Sequence, residues 1–339
     1  MQLAEFDFPF DPSLIAVHPI IPRDHARLLV LERFARSLAH RRVAELPDLL
    51  QPGDLLVVNN TKVLAARVNG RKRLSGSEVE VLFVKDLGDA IWEVLMRGTF
   101  RPGQIIEMGA EAVATVVERG AARTTVRVES SIPMSEWLRQ HGQMPLPPYM
   151  KRVPTDQDRE WYQTVFAQHE GAIAAPTAGL HFTPELLARL QQRGIDLTTV
   201  TLHVGIGTFK PVVVDQIEDH QMGAEWIEVG IEAVRAIEQA RTTGKRIVAV
   251  GTTVARALET AARTDGQIRS YRGETDMFMT PGFSFKVVDA LLTNFHLPRT
   301  TLLMLVSALA GTEYLRQAYA EAVRERYRFY SYGDAMLIL

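Results

Sequence analysis

The chain has 339 residues, of which 46% are hydrophobic and 23% charged, and its formal net charge is −2. This composition suits a globular protein of about two domains, and a nearly neutral chain produces no global field that attracts nucleic acid. The sequence contains no cysteine, which excludes disulfides, thiolate nucleophiles, iron–sulfur clusters and cysteine-bound zinc. The longest apolar stretch, 302–310, is shorter than the roughly 18 residues of a membrane span. Acidic residues occupy the amino terminus, where a secretory signal would be basic, so we expect a cytoplasmic protein.

The first half of the chain is rich in predicted strands. Two lie at 27–31 and 53–58, and short β-prone runs follow within 59–153, at 79–84, 90–95, 104–108, 114–117 and 124–128. Glycine and charged residues separate these runs at intervals of about 8–12 residues, which predicts a small antiparallel barrel or sandwich. The segment L-P-P-Y-M-K-R that follows predicts a rigid exit, because proline fixes φ and removes a hydrogen-bond donor.

From residue 154 onward, predicted helices alternate with strands. Helical patterns cover 184–193, 231–243, 254–263 and 313–325, and extended runs cover 197–204, 246–250 and 302–306. Such alternation predicts an α/β layer with a largely parallel sheet. The predicted fold class is a layered α/β domain with an inserted small antiparallel β-barrel domain. Residues 1–58 and 154–339 would form the discontinuous α/β domain, and 59–153 the insertion.

Two histidines lie in turns rich in glycine and threonine. They are His181 in A-P-T-A-G-L-H-F-T and His203 in T-L-H-V-G-I-G-T-F-K-P. Imidazole titrates near neutral pH, and Gly179, Gly205 and Gly207 would let a ligand approach the backbone. Together the two motifs indicate a site, whereas either histidine alone is equally consistent with a loop residue that neighbouring backbone satisfies.

Further candidate groups lie near the carboxyl terminus. The motif G-E-T-D-M-F places Glu274 and Asp276 on one face of an extended chain. Paired carboxylates can divide acid and base roles, although exposed loop pairs are commoner. H-Q-M-G-A-E-W contributes Glu225 and a tryptophan that can stack on a base, and T-N-F-H-L-P contributes His296.

The segment R-I-V-A-V-G-T-T-V-A-R predicts a strand, a tight turn and a helix capped by Thr252 or Thr253. Free amides at a helix start favour an anionic or polar ligand, although a purely structural turn is as consistent. The G-I-G at 205–207 lacks the third glycine of a dinucleotide fingerprint, which disfavours a dehydrogenase. No metal site is predicted, since no metal-ligand spacing occurs, and G-x-S-x-G is absent too.

Basic residues cluster at 62–73, a segment without acids, and again at Lys151 and Arg152. Such runs usually form a solvated face. The alternative is a surface that binds the phosphates of a substrate.

These motifs together resemble the S-adenosylmethionine:tRNA ribosyltransferase-isomerases of queuosine biosynthesis, the QueA family. The resemblance runs nearly end to end. Its motifs are R-D-H-A-R-L-L-V-L (23–31), P-G-D-L-L-V-V-N-N-T-K-V (52–63), P-L-P-P-Y-M-K-R (145–152), A-A-P-T-A-G-L-H-F-T-P-E-L-L (174–187), T-L-H-V-G-I-G-T-F-K-P-V (201–212), F-K-V-V-D-A-L-L-T-N-F-H-L-P (285–298) and Y-R-F-Y-S-Y-G-D-A-M-L-I-L (327–339).

The resemblance implies that the ribosyl moiety of S-adenosylmethionine is transferred to 7-aminomethyl-7-deazaguanine at the tRNA wobble position and isomerised. The product would be epoxyqueuosine-tRNA, with release of adenine and methionine. S-adenosylmethionine would be a co-substrate, with no cofactor and no obligate protein partner beside the tRNA. The alternatives are an S-adenosylmethionine-dependent tRNA methyltransferase and a non-catalytic tRNA-binding module.

This chemistry needs a base for the proton beside the sulfonium and an acid for the departing adenine. The candidate catalytic residues are His181, His203 and His296, with Asp276 or Glu225 orienting or replacing one of them. The candidate S-adenosylmethionine-binding residues are Gly179, Gly205, Gly207, Thr252 and Thr253. The candidate tRNA-binding residues are Arg67, Lys72, Lys151 and Arg152.

The chain departs from the family pattern at four positions. The common N-D-T-R-V has Asn60 in place of its acid, and G-T-T-S-V-R has Val254 in place of its serine. Gly223 stands where a second histidine is usual, and Val17 replaces a glutamine. These differences argue against a mechanism that needs an acid at position 60 or a base at position 223.

Overall fold

The structure, a computed structural model, describes residues 1–109, 112–120, 123–205, 212–262 and 266–339. In chain order its strands are β1 (Arg27–Glu32), β2 (Ser37–Arg42), β3 (Leu55–Asn59), β4 (Thr61–Val63), β5 (Arg67–Lys72), β6 (Glu78–Gly88), β7 (Ile91–Met96), β8 (Ile105–Glu107), β9 (Val113–Arg119), β10 (Thr124–Glu129), β11 (His169–Ala172), β12 (Asp196–Leu202), β13 (Glu225–Val229), β14 (Ile247–Val250), β15 (Tyr271–Thr275), β16 (Ala290–Asn294) and β17 (Ala335–Ile338). The α-helices are α1 (Leu46–Leu49), α2 (Met134–His141), α3 (Asp158–Trp161), α4 (Pro184–Gln192), α5 (Ile231–Thr242), α6 (Thr252–Ala261), α7 (Thr301–Ala310) and α8 (Thr312–Arg324).

The largest sheet has nine strands in the order β15-β13-β12-β3-β14-β16-β17-β1-β2. At its centre, β12, β3, β14 and β16 run parallel to one another. Antiparallel pairs flank this centre: β12 with β13 on one side and β16 with β17 on the other. Beyond β16, β17 and β1 form one further parallel pair. The sheet is therefore mixed, and the prediction of a largely parallel sheet holds for the four central strands and this outer pair but not for the sheet as a whole.

Helices cover both faces of this sheet. Along β3, Leu55 and Val57 pack into a core with α5, α6, α7 and α8, whereas Leu56 and Val58 pack into a second core with α4 on the opposite face. Alternating side chains point to opposite faces of a strand, and a sheet buried on both faces needs apolar residues at every position. The run L-L-V-V meets that need. In the parts of the chain that the structure describes, no helix is both long enough and apolar enough to cross a bilayer.

The strand predicted at 302–306 is wrong, because these residues lie within helix α7. Nearly every side chain of this helix is buried, so its sequence lacks the polar face that reveals an amphipathic helix. A short apolar run of this kind cannot be assigned by periodicity alone. Thr300 starts the helix, since its hydroxyl accepts a hydrogen bond of 3.3 Å from the Leu303 amide.

The second unit is a closed antiparallel barrel in the order β10-β7-β6-β5-β8-β9. All six strands lie inside the 59–153 segment predicted as the insertion, and the exact domain limits remain a prediction. Helix α2 joins the barrel core through Trp137 and Leu138. Strand β5 was not predicted, because its sequence R-V-N-G-R-K is mostly charged or polar and only Val68 and Gly70 are buried.

Candidate functional site

The site lies where the central strands of the large sheet end. Strands β3, β12, β14 and β16 run in one direction, so their carboxyl ends meet at a single edge. Asn59, His203, Gly251 and Asn294 lie at or directly after these ends. In open α/β sheets this edge is where ligands bind.

A cleft of about 770 Å³ separates this edge from the barrel. Its volume falls within the range of about 300–1,000 Å³ that is usual for small-molecule sites. From the barrel side, the lining includes Trp92, Leu95 and Arg123. From the α/β side come His203, Gly205, Glu170, Gly171, Glu225, Trp226 and residues 220–224, so Gly223 belongs to this wide cleft.

The imidazole of His203 is held from several directions. Its Nδ1 lies 2.8 Å from the Thr61 hydroxyl, and its ring stacks on Trp226 with 5.0 Å between centroids. A Cβ at Gly171 would lie 2.7 Å from Nε2, so only glycine leaves room for the ring. Burial, and secondarily the charge of His169, lower the pKa of His203 below its usual value. His203 is therefore a fixed, mainly neutral imidazole at the wall of the cleft.

Glu225 is buried beside this imidazole and is fully engaged. Its Oε1 accepts a hydrogen bond of 2.9 Å from the Gly205 amide, and its Oε2 pairs with Arg256 of α6. Both side chains of the pair are 5% exposed. Glu225 thus ties the turn after His203 to the helix behind it, which is a positioning role.

A narrow pocket of about 50 Å³ adjoins the wide cleft, and Val204 lines both. Its walls include Thr252, Thr253 and His296. The Nε2 of His296 lies 2.9 Å from the Thr293 hydroxyl, and burial lowers the pKa of His296 to about 3. The two threonines and one histidine predicted from separate motifs therefore lie in one pocket.

His181 is close to this pocket but is committed to other contacts. Its Nε2 accepts a hydrogen bond of 3.2 Å from the Asn294 side-chain amide, and the residue is 4% exposed. Burial, assisted by the charges of Arg23 and Arg328, lowers the pKa of His181 to about 3. This buried, neutral imidazole is therefore held by Asn294 at the end of β16.

These two buried histidines predict an acid-sensitive fold. Each has a folded pKa near 3 and an unfolded value near 6.5, so between these values the unfolded chain binds more protons. The contribution of these histidines to the free energy of unfolding is fully present above about pH 6.5. It is lost as the pH drops toward 3, by up to about 1.4 kcal/mol per pH unit for each histidine. Urea unfolding of wild type and His296→Asn between pH 5 and 6.5 measures this, and we expect a shallower slope in the variant. The exposed His25 is the control: His25→Asn should keep the wild-type slope, and an unchanged slope in His296→Asn would contradict the assignment.

The other predicted residues are not all brought to this edge. Asp276 is exposed and lies beyond the end of β15, away from the wide cleft, whereas Glu274 lines it. Gly179 packs against the Phe166 ring, 2.9 Å from where its Cβ would be, and lines neither the wide cleft nor the narrow pocket. Gly207 lies outside the described residues.

The four residues predicted to contact tRNA differ in their burial and in their hydrogen bonds. Arg152 forms two hydrogen bonds of 2.6 and 2.7 Å with the buried carboxylate of Asp158, and Arg67 donates to the Leu146 carbonyl at 2.9 Å. Lys72 donates to the Thr99 carbonyl at 2.9 Å and lies over the Phe100 ring.

Lys151 is exposed, at a left-handed φ of 47°. Both arginines thus hold the fold together, Lys72 is half-buried, and Lys151 is the exposed member of the set.

Asparagines form much of the framework that the motifs did not identify. Asn59 bonds both the amide and the carbonyl of Leu202, at 3.1 and 2.9 Å, and so fixes the residue before His203. The Asn60 amide donates to the Thr199 hydroxyl and accepts from the Thr201 hydroxyl. Both bonds form with the asparagine that replaces the family's acid at this position. The doubled N-N before Thr61 was the available sequence signal.

Val254, in place of serine, is buried in the core.

Across the described ranges, no group of three or more histidine, aspartate and glutamate side chains is placed to hold a metal ion. The candidate site therefore consists of the wide cleft and the narrow pocket at the sheet edge, with His203 and His296 as their imidazoles.

Known proteins share both the sequence and the fold of this chain. The sequence matches the family model described as "Queuosine biosynthesis protein" over residues 3–338. It is 49% identical to the S-adenosylmethionine:tRNA ribosyltransferase-isomerases of Heliobacterium modesticaldum and of Moorella thermoacetica, with 100% of this chain and 100% of each relative covered. The fold is similar to a crystal structure of S-adenosylmethionine tRNA ribosyltransferase from Thermotoga maritima, with a TM-score of 0.58 at 38% identity, covering 99% of this chain and 100% of that one. These findings confirm the predicted fold class and the family resemblance: the chain belongs to the queuosine biosynthesis protein family.

Proposed function

We propose that this protein is an S-adenosylmethionine:tRNA ribosyltransferase-isomerase. It transfers and isomerises the ribosyl moiety of S-adenosylmethionine onto 7-aminomethyl-7-deazaguanine in tRNA, and adenine and methionine leave. The observation that carries the proposal is the wide cleft of about 770 Å³, which is large enough for a nucleoside and has His203 in its wall. Relatives named for this activity match the chain over its full length.

The roles of the histidines follow from their contacts. His203 uses Nδ1 toward Thr61, which leaves Nε2 to exchange a proton with a ligand in the cleft. Its lowered pKa keeps it neutral near pH 7, the form that a general base needs. We propose that His203 accepts the proton from the sugar carbon beside the sulfonium. His296 in the narrow pocket is a neutral hydrogen-bonding group, and His181 is a positioning residue.

The carboxylates also divide into separate roles. Glu225 is paired with Arg256 and bonded to Gly205, so it orients the turn and does not exchange protons. Asp276 stays a weaker candidate because it does not line the wide cleft.

The tRNA would approach the open mouth of the wide cleft. Lys151 is the exposed cation of the predicted set, whereas Lys72 is half-buried and bonded to the Thr99 carbonyl. Arg67 and Arg152 would act by holding the surface in place. S-adenosylmethionine is the co-substrate, with no cofactor, and we place the reaction in the cytoplasm, where tRNA is modified. A methyltransferase is disfavoured, because the relatives are named for ribosyl transfer and isomerisation.

The test is a direct assay of products. Purified protein is incubated with S-adenosylmethionine and tRNA carrying the 7-aminomethyl-7-deazaguanine base, and free adenine and the modified nucleoside are measured by mass spectrometry. We expect both to appear in equal amounts, with the methyl group retained on methionine. Transfer of the methyl group to tRNA would replace the proposal with a methyltransferase, and tRNA binding without adenine would indicate a binding module.

A further inference from the structure

The narrow pocket has the properties of an anion site. Helix α6 starts at its wall, and the helix start carries no side-chain cap. In the described parts of the chain, the amides of Thr252 and Thr253 have no hydrogen-bond acceptor. The first amides of a helix and its dipole together favour a negative charge.

Two buried side chains, one on the helix and one on a separate loop, support the same conclusion. Thr252 is 5% exposed and His296 is 7% exposed, and both line the pocket. Among the described residues, the Thr252 hydroxyl has no partner, and the His296 ring is bonded only through Nε2, to Thr293. Polar groups shielded from bulk solvent favour a hydrogen-bond partner, and a small ligand rich in acceptors would supply one to these two groups and to the two amides.

The size of the pocket limits what that ligand is. About 50 Å³ has room for a few water-sized atoms and excludes a purine or a ribose. A carboxylate fits this volume and accepts several hydrogen bonds. The wall shared at Val204 joins this pocket to the wide cleft.

Resting on the proposed function, we propose that the narrow pocket binds the α-carboxylate of the methionine part of S-adenosylmethionine. A short carbon chain joins this carboxylate to the sulfonium. With the carboxylate against Thr252, the sulfonium and ribose extend past Val204 into the wide cleft toward His203. Hydrogen bonds to a charged group are roughly twice as strong as neutral ones, so this pocket contributes strongly to recognition of the co-substrate.

The experiment compares S-adenosylmethionine with decarboxylated S-adenosylmethionine, which keeps the sulfonium and the ribose. Adenine release is measured with saturating precursor tRNA in wild type, Thr252→Val and Thr260→Val. Thr260 is the matched control, since it is a buried hydroxyl on the same helix that bonds Thr275 instead of lining the pocket. We expect wild type to show kcat/KM about 10- to 100-fold lower for the decarboxylated compound.

Thr252→Val should lower kcat/KM for S-adenosylmethionine about tenfold and leave the decarboxylated compound unaffected. Thr260→Val should keep the wild-type ratio. Equal use of both compounds by wild type, or an equal loss for both in Thr252→Val, would overturn the carboxylate site while adenine release still supports the proposed function. Absence of adenine with either compound in wild type would instead reject the proposed function itself.

Discussion

Replacement of Glu225 by alanine is expected to destabilise the protein by about 3–5 kcal/mol and to abolish most of its activity. The variant leaves the Arg256 guanidinium buried, 4% exposed, and among the described residues its remaining acceptors are the backbone carbonyls of Met277 and Thr275. An uncompensated buried charge is costly, because the interior solvates it poorly. The Gly205 amide also loses its acceptor, so the turn after His203 loses its anchor. Urea unfolding and adenine release measure the two effects.

A matched control and a double variant separate the causes. Glu228 lies on the same strand, but its carboxylate is 44% exposed and lies 3.7 Å from Arg272, so Glu228→Ala should change stability by about 0.5 kcal/mol or less. In Glu225→Ala with Arg256→Met, removing both charges should restore much of the stability without restoring activity. If Glu225→Ala is as stable and active as Glu228→Ala, the ion pair does not hold the site.

The fold was largely predictable because its patterns are local. Alternating residues at 79–84 and 124–128 predicted barrel strands, and β6 and β10 contain them. The exceptions have physical causes. The charged residues on the outer face of β5 mask the alternating pattern of a strand in its sequence, and α7 is apolar on every side, so it lacks the pattern of an amphipathic helix.

The roles of the site residues were less predictable, because they depend on contacts between distant parts of the chain. The two histidines in Gly/Thr turns are alike in sequence. Only the fold shows that Asn294, 113 residues away, occupies one ring nitrogen of His181, whereas Thr61, 142 residues away, holds the ring of His203. No local motif carries that information.

This difference between the histidines leads to the largest predicted effect on catalysis. His203→Ala is expected to reduce adenine release about 10²-fold or more, the usual contribution of a general base, with little loss of binding. His181→Gln should act mainly on stability, since His181 is buried and its Nε2 is bonded to Asn294. The matched control is His220→Ala, which removes another imidazole of the wide cleft that packs against Phe278 and should stay within a few-fold of wild type.

The same assignment predicts how the rate depends on pH and on Gly171. Because burial lowers the pKa of His203, its imidazole is neutral above that pKa and protonates below it. Wild-type kcat/KM should therefore fall on the acid side, at a pH below 6.5, and this limb should be lost in His203→Ala. Gly171→Ala keeps the imidazole but displaces it, since the new Cβ would lie 2.7 Å from Nε2, and we expect a loss of activity approaching that of His203→Ala. Near-wild-type adenine release in both variants would remove His203 from the reaction and leave His296 as the imidazole to test.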